Sequence, residues 1–107
     1  MRIGVSNLNK RKREDDKLYR NTRKQAIERD SIDGYPHCVL CGCNRPSEVH
    51  HIVSRGQCGT SELTNLATLC NHCHHEVAHG VDSRQVKKLL LKIVKERTDK
   101  YEKDRSC

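Results

Sequence analysis

The chain has 107 residues, a length for one domain, and its 21 Lys plus Arg outnumber 14 Asp plus Glu to leave a net charge of +7. With no Trp, no Phe and one Met, any core rests on Leu, Ile and Val, and a core this small generally needs a staple. No apolar run approaches the roughly 20 residues that span a bilayer, which excludes a transmembrane protein. The N-terminal MRIGVSNLNKRKRE lacks the apolar stretch of a secretory signal, so the expected location is cytoplasmic. In that setting seven cysteines, an odd number, read as metal ligands rather than disulfides.

In chain order, residues 1–14 carry KRKR at positions 10–13 and are expected to form a basic, disordered arm ahead of a single domain over 15–107. From about Asp15 to Asp30, Leu18, Tyr19, Thr22, Ala26 and Ile27 recur at helical spacing. SIDGYP (31–36) then ends the helix. Residues 37–80 are loop-rich, with two short apolar runs, Val49–Val53 and Leu66–Leu69, suited to paired strands. Beyond them Val86, Leu89, Leu90, Ile93 and Val94 mark an amphipathic helix over about 83–104. Asp82 and Gln85 stand in a capping-box pattern at its start.

Charge follows the same division. Residues 1–35 and 81–107 each carry a net of +4, whereas residues 36–80 carry −1 and hold all seven histidines and six of the seven cysteines. Basic flanks of this kind suit a polyanion, because each phosphate neutralised releases condensed counterions. They equally suit solvated helices that keep a small protein dissolved.

Cys38-Val-Leu-Cys41 and Cys70-Asn-His-Cys73 are two C-x-x-C pairs separated by 28 residues. Each pair lets a tight turn present two thiolates to one tetrahedral Zn²⁺, and two such turns close a structural site. The spacing is long for such a site, but loop-closure entropy grows slowly with length. Cys43 offers a shifted alternative to Cys41, while Cys58 and Cys107 read as spare thiols. A redox role would need a thioredoxin-like βαβ context that is missing here. A four-thiolate zinc has no open coordination position and does no chemistry.

The chemistry is sought in the histidines. Glu48-Val-His50-His51-Ile52 follows the first pair, Asn65-Leu66 precedes the second, and His74, His75 and His79 follow directly. Residues 38–80 resemble the HNH endonucleases, and LTNLATLCNHCHH is similar to the line of their zinc-knuckle branch, common in phages. The resemblance implies a small α+β fold: a ββα-metal motif made of a short β-hairpin and a metal-binding helix, with flanking helices and the four-cysteine zinc. It implies a metal-dependent DNA endonuclease. In that scheme His51 is the general base, Asn65 orients it by accepting the ring N–H, and His50 and His74 hold a catalytic divalent cation such as Mg²⁺, Mn²⁺, Ni²⁺ or Zn²⁺. Location in a bacterial or phage-infected cell, and phage packaging proteins as partners, are associations of the family.

Elementary chemistry is consistent with those roles. Imidazole is the usual proton acceptor near neutral pH, and adjacent strand residues point to opposite faces, so His50 and His51 can differ in duty. The chain departs from the family at one point: many relatives place a further His four residues after the one in the position of His74, and here that residue is Ala78. On an α-helix His74 and His79 stand roughly 140° apart, too far to chelate together without a local bulge. Two alternatives follow: His74 joins His50 alone, or the i,i+4 pair His75/His79 holds metal or phosphate instead. A second class of function, a non-catalytic zinc module that binds DNA or protein, accounts for the cysteines and the charge but not for the histidines.

Overall fold

The structure, a computed structural model, describes residues 2–105, with side chains from residue 10 onward. Its elements in order are helix α1 (Arg2–Arg29), strands β1 (Ser31–Ile32), β2 (Tyr35–Pro36) and β3 (Pro46–His51), two 3₁₀ turns (Arg55–Gln57, Leu63–Asn65), strand β4 (Leu66–Cys70), a π turn (Cys73–Val77) and helix α2 (Ser83–Arg105). The architecture is the small α+β type, with two short antiparallel sheets, β1–β2 and β3–β4. No helix among the described residues is long and apolar enough to cross a membrane.

Three features go beyond the expected elements. First, the backbone of residues 2–14 is drawn as the opening turns of α1, which runs from Arg2; Met1 and the spare thiol Cys107 lie outside the described residues. Opposite charges stand four apart at Lys10/Glu14, Arg11/Asp15 and Lys12/Asp16, which supports a helix here. Asp15 and Asp16 further anchor this turn by pairing with Arg55 at 3.2 and 2.7 Å. Secondly, the sheltered stripe of α1 runs through Asp15, Tyr19, Thr22, Ala26 and Arg29, while Leu18 is exposed. Thirdly, SIDGYP is a hairpin and not only a stop, because Asp33 and Gly34 both take positive φ (55° and 85°), the backbone of the tight two-residue hairpin turn.

β4 is buried at all five residues and forms the centre of the molecule. It pairs with β3 in the register His50↔Ala67 and His51↔Leu66. One core cluster joins Leu69 to Leu90 and Val94 of α2 and to Cys38, Cys70 and Cys73; a second sets Leu66 against Ala26 of α1. At α2, Asp82 stands at the N-cap and its carbonyl accepts Val86 N–H (3.0 Å). No side-chain capping bond from Asp82 is among the described hydrogen bonds.

The two clusters are joined by a buried ion pair. Arg29 and Asp30 form a two-pronged bridge (3.0 and 2.9 Å) with side chains 1% and 0% exposed. Arg29 also donates to Leu63 O (2.8 Å), Leu66 O (2.6 Å) and Thr98 Oγ1 (3.1 Å), and Asp30 accepts the Thr68 N–H (3.1 Å). Removing one partner of such a pair strands a buried charge, a loss of about 3–5 kcal/mol. Arg29→Ala should therefore lower unfolding stability by that amount in a urea titration. Thr98→Val, which removes one hydrogen bond, should cost only about 1 kcal/mol; equal losses would show that Arg29 acts by packing alone.

Candidate metal centres and active-site cleft

The first C-x-x-C sits on a tight turn. Gly42 takes φ +77° and its N–H donates to Cys38 O (2.9 Å), while Val39 N–H docks the turn on Thr68 O of β4 (2.9 Å). The second pair begins where β4 ends. The Sγ atoms of Cys38, Cys41, Cys70 and Cys73 all lie within 4.8 Å of one another, and those of Cys41 and Cys70 are 3.6 Å apart. Tetrahedral Zn–S bonds of 2.3 Å require sulfurs about 3.8 Å apart, so the donor set fits a closed structural zinc. Cys43 is not in the cluster; its carbonyl accepts Cys38 N–H (2.8 Å) instead. The Cys73 amide, which donates to Cys70 Sγ (3.4 Å), draws the Cys70 thiol down to about 6. Burial and the neighbouring sulfurs push Cys73 up, a position from which a bound cation would release its proton.

If these residues hold the metal, the purified protein should carry one tightly bound Zn²⁺ per chain by elemental analysis. Cys70→Ser should lose both that metal and cooperative unfolding. Retention of the wild-type melting temperature by a metal-free Cys70→Ser protein would refute the assignment.

The second group of ligand atoms comes from a backbone irregularity. After Cys73 the chain makes i→i+5 bonds, with Ala78 N–H donating to Cys73 O (2.8 Å). Each such bond encloses one residue more than an α-helical one, which brings positions five apart toward one face. Ligand nitrogens of His50, His74 and His79 thus converge within 4.8 Å of one another. The ring centroids lie 5.0 Å (His50–His74), 5.4 Å (His50–His79) and 5.2 Å (His74–His79) apart. His50 and His74, the pair expected to share a cation, come together here with His79 beside them. His75 groups with His74 and Glu48, and the Glu48 carboxylate lies 3.0 Å from His74 Nδ1 without hydrogen-bond alignment. Gly80 closes the turn where a Cβ would lie 2.3 Å from Glu76 O.

Burial, reinforced by the neighbouring imidazoles, depresses His50 to about 4, and burial also lowers His74. Both are neutral near pH 7 and offer lone pairs, as imidazole ligation of a divalent cation requires. The depression has a stability consequence. Between about 4 and the ordinary 6.5 the unfolded chain takes up a proton at His50 that the folded chain refuses, so this contribution is complete above 6.5 and is lost as pH falls through that window. The melting temperature should therefore rise more steeply from pH 4 to 6.5 in wild type than in His50→Asn. Parallel curves would contradict the burial of a neutral imidazole.

His51 faces the other side of β3, with its ring 4.9 Å from Tyr19 of α1. Burial and the Arg55 guanidinium lower its pKa against an opposing pull from Asp15. The expected His51–Asn65 bond is absent. Asn65 Oδ1 accepts Val53 N–H (2.8 Å), and Nδ2 donates to Val53 O (3.0 Å) and Thr60 O (2.6 Å). Asn65 is committed to the 53–60 loop because its side chain lies beneath that loop, and Gly59 is needed there since any Cβ would lie 1.8 Å from Val53 O. The bond to His51 Nε2 is made by Ser61 Oγ (2.9 Å). Ser61 is fully buried and tied to Asp15 of α1; the sequence reading missed it because Asp15 lies 46 residues away.

A cleft of about 400 Å³ opens at these side chains, walled by His50, His51 and His79 together with Gln57, Arg84 and Lys87. One cleft thus combines imidazoles that can bind a cation, a separate imidazole that can take a proton, and two cations that can meet an anion. Such a combination has the chemical means to assist hydrolysis of a phosphate ester. Residues 38–79, which contain both cysteine pairs and these histidines, match the HNH endonuclease family, a match that points to nuclease-type activity in general. No curated protein and no solved structure gives a significant match.

Proposed function

We propose that the chain is a metal-dependent endonuclease that hydrolyses DNA phosphodiester bonds, with His51 as general base and His50, His74 and His79 as ligands of a divalent cation. The observation that carries the reading is the convergence of three imidazoles, two of which, His50 and His79, wall a cleft that a fourth, His51, also walls from outside the ligand set. A purely binding zinc module would use the four-sulfur cluster but has no use for this arrangement.

When bound, the cation supplies Lewis-acid stabilisation of the phosphate and of the departing 3′-oxygen. The chain's own residues do the rest. His51 takes the proton of the water that attacks phosphorus. Arg84 and Lys87 line the cleft where flanking phosphates of the strand would lie, and the basic faces of α1 and α2 add a longer-range attraction to the same backbone. Asn65 holds the 53–60 loop through its three hydrogen bonds. A ligand set made of imidazoles favours Ni²⁺ or Zn²⁺ over Mg²⁺, which prefers oxygen donors.

Plasmid cleavage with each of Mg²⁺, Mn²⁺, Ni²⁺ and Zn²⁺ tests the proposal. His51→Ala should lose about 10²–10⁴ in rate with zinc content and fold unchanged. His50→Ala, His74→Ala and His79→Ala should instead raise the metal concentration needed for half-maximal cleavage, and His75→Ala should not. A folded, zinc-loaded protein that cuts DNA with none of these ions sinks the nuclease reading and leaves the binding module. A metal phenotype for His75→Ala in place of His79→Ala would overturn the ligand set alone.

A further inference from the structure

We infer that Asp15, on α1 and outside the segment matched by the family, positions the base His51 through Ser61 by fixing which ring nitrogen carries its proton. The inference rests on the reading of His51 as base. Hydrogen-bond inventory drives it. The two oxygens of the Asp15 carboxylate, which can only accept, take the Ser61 backbone N–H (2.7 Å) and the Ser61 hydroxyl (2.8 Å). A serine hydroxyl has one hydrogen to give, and here it is given to Asp15. Ser61 Oγ therefore meets His51 Nε2, 2.9 Å away, with lone pairs alone, and Nε2 must be the nitrogen that bears the hydrogen. The lone pair of the neutral ring is then on Nδ1, which makes no hydrogen bond among the described residues and is left to take a proton from water.

The relay is held rigidly. Ser61 is fully buried, its carbonyl accepts the Thr22 hydroxyl (2.6 Å), and Arg55 adds a second donor to Ser61 Oγ (3.3 Å) while pairing with Asp15 (3.2 Å). Arg55 is itself held over the Tyr19 ring, 5.4 Å from the centroid, and its pair with Asp16 is a solvent-exposed one on the far side from Ser61 Oγ, made by a different guanidinium nitrogen. Two donors and one acceptor around the serine oxygen allow a single arrangement of its hydrogen. Asp15 is thus a positioning residue, acting on the imidazole at one remove and touching neither substrate nor metal.

Asp15→Asn tests this with almost no change in shape. An amide at position 15 can donate to Ser61 Oγ, freeing the hydroxyl to donate to His51 Nε2 and moving the ring hydrogen to Nδ1. Long-range ¹H–¹⁵N correlation spectra of the zinc-loaded, histidine-labelled protein should show His51 as the Nε2–H tautomer in wild type and in Asp16→Asn, and as a mixed or Nδ1–H ring in Asp15→Asn. Cleavage by Asp15→Asn should fall about 10- to 10²-fold in kcat, a part of the general-base contribution, with KM and zinc content unchanged. Asp16→Asn, which loses only the other Arg55 pair, should cut like wild type. Should Asp15→Asn fail to fold, Ser61→Ala removes the acceptor and should give the mixed tautomer with the same kcat loss. An Nδ1–H ring in wild type, or a wild-type kcat in a folded Asp15→Asn protein, overturns the inference. Absence of any cleavage by wild type, with the expected tautomers in both proteins, removes the nuclease reading while the relay stands.

Discussion

The Arg29–Asp30 pair is the constraint on which the rest of the molecule depends. A guanidinium and a carboxylate buried together are tolerable only when nearly every donor and acceptor is used, and here the partners come from three different elements. Arg29 takes the carbonyls of Leu63 and Leu66 and the hydroxyl of Thr98; Asp30 takes the amide of Thr68, with Arg97 at 3.6 Å on its outer side. The end of α1, the turn before β4, β4 itself and the middle of α2 are thereby held in one register. A chain without Trp or Phe has little apolar area with which to fix those elements. Hydrogen-bond geometry, which is directional, does what shape complementarity does in a larger core.

Once β4 is fixed, both candidate metal centres follow from its two ends and its partner strand. Its last residue is Cys70, and the alternation of β3 sends His50 toward the π turn and His51 toward α1. Strand period thus sends the residues of the two proposed roles, metal ligand and base, to opposite faces. The π turn performs the other half of the work, because an α-helical continuation would leave His74 and His79 on different faces. π turns carry a cost in backbone regularity and recur at functional sites, and this one brings a third imidazole to the cleft.

How much of this could be read from the residues depended on the distance over which each signal acts. The paired C-x-x-C turns are local, and the structure gathers the four sulfurs that spacing selects. The periodicity of Leu90 and Val94 is local too, and those side chains are buried in α2. What periodicity cannot carry is a departure from regular geometry: Ala78 in place of an expected His is a one-residue shift, and only the bulge turns it into a ligand set. Long-range polar partners are less visible still. Asn65 stood in a position suited to orient His51, but a side chain with one acceptor and two donors serves whichever backbone groups lie nearest, and those are in the 53–60 loop. Asp15 stands only as the first residue of a predicted helix, since nothing in its neighbours says that Ser61 will be packed against it. The Asp33-Gly34 hairpin, by contrast, was legible and was read only as a stop.

The two candidate metal centres are not independent. Cys70 and Cys73 hold one end of the π turn, and Cys73 O is the acceptor that the i→i+5 bond from Ala78 requires. The sulfur cluster therefore fixes the residue from which the turn is counted, and His74 follows it by one position. Burial of Cys73 makes its thiolate unfavourable without a cation, so an empty sulfur site would free the start of the turn as well as a loop closure. A closed four-sulfur centre would have no open position for chemistry, and its link to the histidine group runs through one backbone carbonyl, Cys73 O. A cation bound at the four sulfurs would staple the fold and would also set the phase of the segment that brings His74 and His79 beside His50.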